Sequence, residues 1–169
     1  VLEKHPHVYV VSDEIYEHIN FSGTFCSIAS IPGMLERTIT VNGVAKAFAM
    51  TGWRIGYIGA PEFIAKACTK IQGQVTSGAN SIAQRATITA VEADPSVLNE
   101  MVTAFKNRRD LVVGLVKEIP GFKLNVPEGA FYVFPDVSYY FGKTIKGTEI
   151  KDATDFSMFL LAEANVATV

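Results

Sequence analysis

Residues 7–12 (HVYVVS) form a short, apolar, β-branched run that ends at once on Asp13-Glu14. A near-continuous apolar run of this length, with acidic residues at its carboxyl end, fits a strand buried on both faces of a mostly parallel sheet. Two similar runs follow, 38–42 (TITVN), leading into Gly43, and 55–59 (IGYIG), bounded by Arg54 and Pro61. The small, polar stretch 21–31 between the first two reads as a loop. Such strands must be covered by helices, so the front of the chain is read as α/β.

The helices announce themselves by spacing. Pro61 suits a first helical position, and Phe63, Ile64, Ala67, Cys68 and Ile71 recur at helical intervals, with Gly73 as the expected stop. Residues 76–80 read as a polar turn and 81–93 as a second helix. Asp94-Pro95 marks a break, and Ser96 is placed to cap the next helix. Leu98, Met101, Val102, Phe105, Leu111, Val112, Leu115, Val116 and Ile119 then trace a long amphipathic helix over about 96–119, ending at Pro120-Gly121. After it, 122–126 and 130–136 look like strands joined by Pro127-Glu128-Gly129. Residues 139–149 read as a loop, and 152–163 as a helix with Phe156, Phe159 and Leu160 on one face. We expect a domain boundary near Asp94-Pro95, an α/β unit over 1–94 and an α+β unit over 95–169.

Composition narrows the function classes. Of 169 residues, 49% are hydrophobic and 19% charged, enough for a packed core. With 17 acidic and 15 basic residues the formal charge is −2, which leaves no basic surplus for nucleic acid or an anionic membrane. No run crosses a bilayer and no signal peptide opens the chain, so a cytoplasmic setting is the expectation. Two cysteines, Cys26 and Cys68, make neither a disulfide framework nor a zinc site and read as small core residues. His5, His7 and His18 are too scattered for a metal centre, so no metal is expected; His5 and His7 read as the surface at a strand entry. Lys106, Arg108 and Arg109 read as the wet face of the long helix. The chain opens on Val1 and stops in a strand-like run, and it reads as part of a longer protein.

Chemistry concentrates in residues 43–56 (GVAKAFAMTGWRIG). Lys46 sits just past a strand end among small residues, and Arg54 follows eight positions on, after the only tryptophan. Small neighbours let a backbone approach a planar ligand closely. A partly desolvated lysine becomes nucleophilic, and a guanidinium fork suits phosphate. A random lysine and arginine would be a solvated loop residue and a surface ion-pair partner, but surface loops rarely need so many glycines and alanines beside Phe, Met and Trp. The second group is Ser12-Asp13-Glu14-Ile15-Tyr16. Ligands in open α/β sheets bind at the carboxyl ends of strands, and one helical turn would put Asp13 and Tyr16 on one side. That spacing fits equally a helix cap by Asp13 and a packed Tyr16.

These two motifs, in this order and about 30 residues apart, resemble the pyridoxal-phosphate attachment and strand-end motifs of the class I and II aminotransferases. The form AKAFAMTGWR is similar to that of the bacterial aspartate aminotransferases, and Gly129-Ala130-Phe131-Tyr132 resembles the family's small-domain strand motif. The resemblance covers essentially the whole chain. It implies fold type I, with 1–94 as the rear of the large coenzyme-binding domain and 95–169 as most of the small domain. It implies an enzyme moving an amino group between an amino acid, aspartate foremost, and 2-oxoglutarate, with pyridoxal 5'-phosphate as cofactor and a homodimer as the assembly. By the same resemblance Lys46 is the covalent anchor and proton carrier, Asp13 holds the pyridine nitrogen protonated, Tyr16 donates to the phenolic oxygen and Arg54 pairs with the phosphate. Ser77, Asn80 and Gln84 resemble a dimer-interface segment, where capping of the next helix by Ser81 is the alternative.

Two departures stand beside the match. Many relatives carry serine immediately before the lysine or three before it; here those positions are Ala45 and Gly43. The family pattern accepts alanine before the lysine, and one phosphate hydrogen bond fewer is the expectation, at a cost on the order of 1–3 kcal/mol if charge-assisted. The family's asparagine facing the cofactor, its ring-stacking aromatic, its glycine-rich phosphate turn and its substrate-gripping arginine have no counterpart in the 169 residues, so this stretch alone is not expected to transaminate. Two other readings keep the motifs: a β-elimination lyase on the same fold, and a non-catalytic regulatory domain built on it.

Overall fold

The computed structural model describes residues 1–168. Its main sheet has three strands, β1 (Val10–Asp13), β2 (Thr38–Gly43) and β3 (Gly56–Gly59), in the order β1-β2-β3. β1 and β2 run parallel, with Val10 opposite Thr38 and Asp13 opposite Val41. β3 runs antiparallel to β2, with Thr40 opposite Gly59 and Gly43 opposite Gly56. Every strand expected from the first three apolar runs is therefore present. β1 begins three residues late, because the chain at His7–Tyr9 is still in a turn and irregular backbone.

The β2–β3 pairing depends on glycine. A Cβ on Gly43 would lie 2.9 Å from the Ile55 carbonyl oxygen and 3.3 Å from both Gly56 Cα and Ile15 Cδ1. Two main chains thus pass closer than any side chain allows.

α1 (Glu62–Val75) follows Pro61, and α2 (Ser81–Val91) follows an Asn80 whose side chain accepts from Ala83 N–H. Asn80 is the cap, and Ser81 is already inside the helix. α1 runs two residues past the expected stop at Gly73, since one glycine inside a helix costs only about 1 kcal/mol. The next break is capped by Asp94, which accepts from Ser96 N–H at 2.8 Å, so Ser96 is the capped residue. A short 3-10 turn, Pro95–Leu98, leads into α3 (Asn99–Lys117).

The chain divides into two compact units. The first holds Val1–Phe105 and Glu128–Ala130, the second Lys106–Pro127 and the residues from Phe131 onward. Ile19, Met34, Val44, Ala47, Met50, Ala83 and Leu98 are buried in the first; Val113, Ile150 and Phe156 are buried in the second. Cys26 and Cys68 are both exposed, against the expectation of core packing. Cys68 lies on α1, which buries none of its residues, and Cys26 lies in a loop with its thiol 3.7 Å from Ser30 Oγ.

In the second unit the expected strands at 122–126 and 130–136 reduce to one bridge, Lys123 with Asp136. The linking residues pair elsewhere: Ala130 N–H donates to Ile19 C=O and Glu128 C=O accepts from Phe21 N–H, both within the first unit. The expected loop at 139–149 contains a hairpin, β4 (Lys143–Ile145) and β5 (Thr148–Ile150). Lys146 and Gly147 turn it at φ 48° and 83°, the two positive values a two-residue type I′ turn requires. α4 (Ala153–Ala164) starts on Asp152, which accepts from Thr154 and Asp155 N–H, and buries Phe156. Phe156 stacks on Tyr140 at 4.9 Å, with Phe122 edge-on to both. Arg109 does not belong to a wet face: its side chain is 13% exposed and donates to Pro127 C=O.

Candidate active site

The site residues are set by the ends of β1 and β2. Asp13 is the last residue of β1, and its Oδ1 accepts from Ile15 N–H at 3.2 Å, which turns the chain out of the strand. Glu14 N–H still donates to Val41 C=O, so the turn stays tied to β2. The next residues curl through a hydrogen-bonded turn, from Glu17 N–H to Glu14 C=O and from Ile19 N–H to Tyr16 C=O. Tyr16 is thereby carried to the end of the sheet. β2 ends on Gly43, and 44–50 curl back over the same end, with Phe48 N–H donating to Val44 C=O.

The two turns meet through their functional side chains. Lys46 Nζ lies 5.8 Å from the centroid of the Tyr16 ring. Lys46 is half-buried, between buried Val44 and Ala47. Asp13 is exposed at its strand end and lines, with Tyr16, Glu17, Asn20 and the Glu128–Ala130 segment, a cleft of about 340 Å³. The spacing left open whether Asp13 and Tyr16 merely cap and pack; both face this cleft.

Arg54 stands apart from that group. It takes the left-handed conformation (φ 56°) at the end of a 3-10 turn over Thr51–Trp53, and its Nη1 donates to Thr51 C=O at 2.9 Å. Thr51 Oγ1 in turn donates to Ala45 C=O, beside Lys46, at 3.1 Å. Arg54 lines a second, open cleft of about 1010 Å³ with Trp53, Gln72, Thr76 and Asn80. Three of the four expected residues share one strand-end region, and the fourth is linked to it through Thr51 and Ala45.

Sequence reading passes over the acidic residues that hold this region. Glu14 is 7% exposed, and one of its oxygens accepts from Ser12 Oγ at 3.0 Å and from Ser27 Oγ at 2.7 Å. Glu17 accepts from Asn42 Nδ2 at 2.8 Å and lies 3.3 Å from His18 Nε2. Tyr57, opposite Asn42 on β3, has its phenol pKa raised, first by burial and then by the Glu17 charge. The signal for both glutamates is their place in or beside the Asp13–Tyr16 motif, but nothing in the motif says where their carboxylates go. Among the described residues, no three His, Cys, Asp or Glu side chains gather as a metal site, and no helix is long and apolar enough to cross a membrane.

The chemistry of the side chains fits a pyridoxal-type coenzyme. An amine can bond a carbonyl carbon, a carboxylate at a strand end can hold a protonated ring nitrogen, a phenol can donate to an oxyanion, and a guanidinium can pair with phosphate. Gly43, which admits no Cβ, keeps the main chain close under the turn that bears the amine.

Comparison with known proteins gives the family. The family model described as aminotransferase class I and II matches residues 1–169. A bifunctional aspartate aminotransferase and glutamate/aspartate-prephenate aminotransferase from Petunia hybrida is 47% identical over 174 residues, covering 100% of this chain and 36% of its own length. An aspartate aminotransferase from Rhizobium meliloti (strain 1021) is also 47% identical, over 100% of this chain and 42% of its own length. Among solved structures, the aspartate aminotransferase from Rhizobium meliloti superposes with a TM-score of 0.91 at 47% identity, over 99% of this chain and 43% of that one. An aromatic aminotransferase from Pyrococcus horikoshii OT3 gives 0.85 at 37% identity, over 99% and 43%. The chain thus spans about two-fifths of the length of the relatives it matches.

Proposed function

We propose, from the premise that the chain belongs to the class I and II aminotransferase family, that it is the lysine-bearing part of an enzyme that moves an amino group from an amino acid to a 2-oxo acid. Aspartate is the donor we assign and 2-oxoglutarate the acceptor; relatives named as aspartate aminotransferases at 47% identity support the choice of aspartate. Pyridoxal 5'-phosphate is the cofactor, a homodimer the assembly and the cytoplasm the compartment. Residues 1–94 are the rear of the large domain and 95–169 most of the small domain.

The observation that carries the reading is the Lys46 amine beside the Tyr16 ring at the carboxyl end of the sheet. When bound, the coenzyme supplies an electron sink for the bonds of the substrate α-carbon. Lys46 is the anchoring amine, and its Nζ, once free, takes the proton from the substrate α-carbon as a general base. Tyr16 donates its O–H to the coenzyme's ring oxygen. Asp13 holds the proton on the ring nitrogen, where its negative charge keeps the ring cationic. Arg54, whose Nη1 donates to Thr51 C=O and which lines the neighbouring cleft, is the partner we assign to the phosphate.

The test is Lys46→Ala in the protein carrying this chain. Loss of the absorbance band of the lysine-attached coenzyme and of keto-acid formation from aspartate is the expected result. An unchanged absorbance band overturns the assignment of Lys46, and release of ammonia by the unmutated protein in place of amino-group transfer overturns the reaction.

A further inference from the structure

Glu17 Oε1 accepts from Asn42 Nδ2 at 2.8 Å, and Asn42 Oδ1 accepts from Gly43 N–H at 2.7 Å. Asn42 is 9% exposed, so its amide has little access to water. The position of this pair in the chain matters more than its strength. Glu17 directly follows Tyr16, and Asn42 directly precedes Gly43, where the lysine turn begins. The bond therefore ties the segment that carries Asp13 and Tyr16 to the segment that carries Lys46. The Ile15 side chain against Gly43 is the apolar counterpart of the same tie.

We propose that Glu17 is a positioning residue: acting through Asn42, its carboxylate sets the Lys46 amine against the Tyr16 phenol. The inference rests on the proposed function. Proton transfer by Lys46 needs its Nζ within hydrogen-bond reach of the substrate α-carbon, and small misplacements of a reacting group are expensive. A shift of roughly 1 Å can cost about 100-fold in rate. The effect of Glu17 is on where Lys46 and Tyr16 stand.

The test compares two variants of the holoenzyme, Glu17→Ala and the exchange Glu17→Gln/Asn42→Asp. The exchange restores a carboxylate–amide hydrogen bond with donor and acceptor traded, and the introduced aspartate carboxylate can still accept from Gly43 N–H. Each variant is read by kcat, by KM for the amino donor, and by the circular dichroism of the bound coenzyme's visible band, which reports how the ring is held. Glu17→Ala is expected to lower kcat by about 10- to 100-fold, with KM changed less than about threefold, the pattern of a loss felt in the transition state. Its visible circular dichroism should weaken, and the exchange variant should recover both signals. Unchanged kcat and circular dichroism in Glu17→Ala overturn the proposal, as does thermal stability restored by the exchange without either signal. Where Glu17→Ala does not fold, the exchange variant decides alone: near-native kcat and circular dichroism support the proposal, and their loss overturns it. Lys46→Ala run in parallel separates the two readings. Loss of coenzyme attachment there, with Glu17→Ala unaffected, sinks the positioning role and leaves the proposed function standing.

Discussion

Gly43→Ala tests the packing on which the lysine turn rests. Two effects oppose each other. Alanine narrows the unfolded ensemble, which favours the fold by about 0.4–1 kcal/mol wherever the native backbone suits alanine. Gly43 has no positive φ, so the backbone raises no objection. The side chain does. Its Cβ would lie 2.9 Å from the Ile55 carbonyl oxygen and 3.3 Å from Gly56 Cα, both main-chain atoms, and 3.3 Å from Ile15 Cδ1. Main chain held in the β2–β3 ladder cannot swing aside as a flexible side chain would, so the strands must separate. Overpacking of this kind costs about 1–3 kcal/mol, which leaves a net destabilisation of up to about 2.6 kcal/mol, the rigid main-chain contacts placing it toward the upper end. Gly59→Ala is the control, since nothing lies within 4 Å of its Cβ and its φ is ordinary. It should be neutral or slightly stabilising. The assay is urea unfolding of the protein carrying this chain, with the midpoints of the two variants compared at equal slope. Equal midpoints for Gly43→Ala and Gly59→Ala would refute the claim that β2 and β3 approach closely at the site.

Other consequences are more local. Asp152→Ala removes the acceptor for Thr154 and Asp155 N–H at 2.8 and 2.9 Å and should lower stability by about 1 kcal/mol, read by denaturant unfolding, with Asp152→Asn losing much less. Asp94 has its pKa lowered by the Ser96 backbone N–H and then by the Ser96 side chain. Its contribution is therefore fully present above the ordinary carboxylate value and fades as pH falls through the depressed one. Thermal unfolding from pH 6 down toward pH 3 should show a smaller acid-side fall in Tm for Asp94→Asn than for the parent.

What can be read from sequence is what is encoded locally. β2 is legible to within one residue because its β-branched run and its glycine stop fall at the same place. The type I′ hairpin escapes notice although its signal is present: Lys146-Gly147 lies between Thr144-Ile145 and Thr148-Glu149-Ile150, but glycine and lysine read first as loop composition. The strands expected at 122–126 and 130–136 fail for a different reason. Their strand-like composition is genuine, but a strand exists only with a partner, and the segment between them is committed to Ile19 and Phe21. Local pattern carries no information about which edge a residue will choose.

The candidate site divides along the same line. Lys46, Asp13, Tyr16 and Arg54 are singled out from sequence because their two motifs resemble those of a known family; their neighbours alone leave Asp13 and Tyr16 equally a cap and a packed ring. Glu17 and Asn42 are not, since what matters is that two side chains 25 residues apart meet across a strand end. Either alone looks like an ordinary solvated side chain, and only their 2.8 Å separation gives them a role. The same holds for Glu14, whose buried carboxylate needs Ser12 and Ser27 to be tolerable at all. Chemistry can thus be recognised from one stretch of chain. The geometry that makes it work is a relation between stretches, so it is at these pairwise ties, rather than at the lysine, that mutation will show how closely the site is tuned.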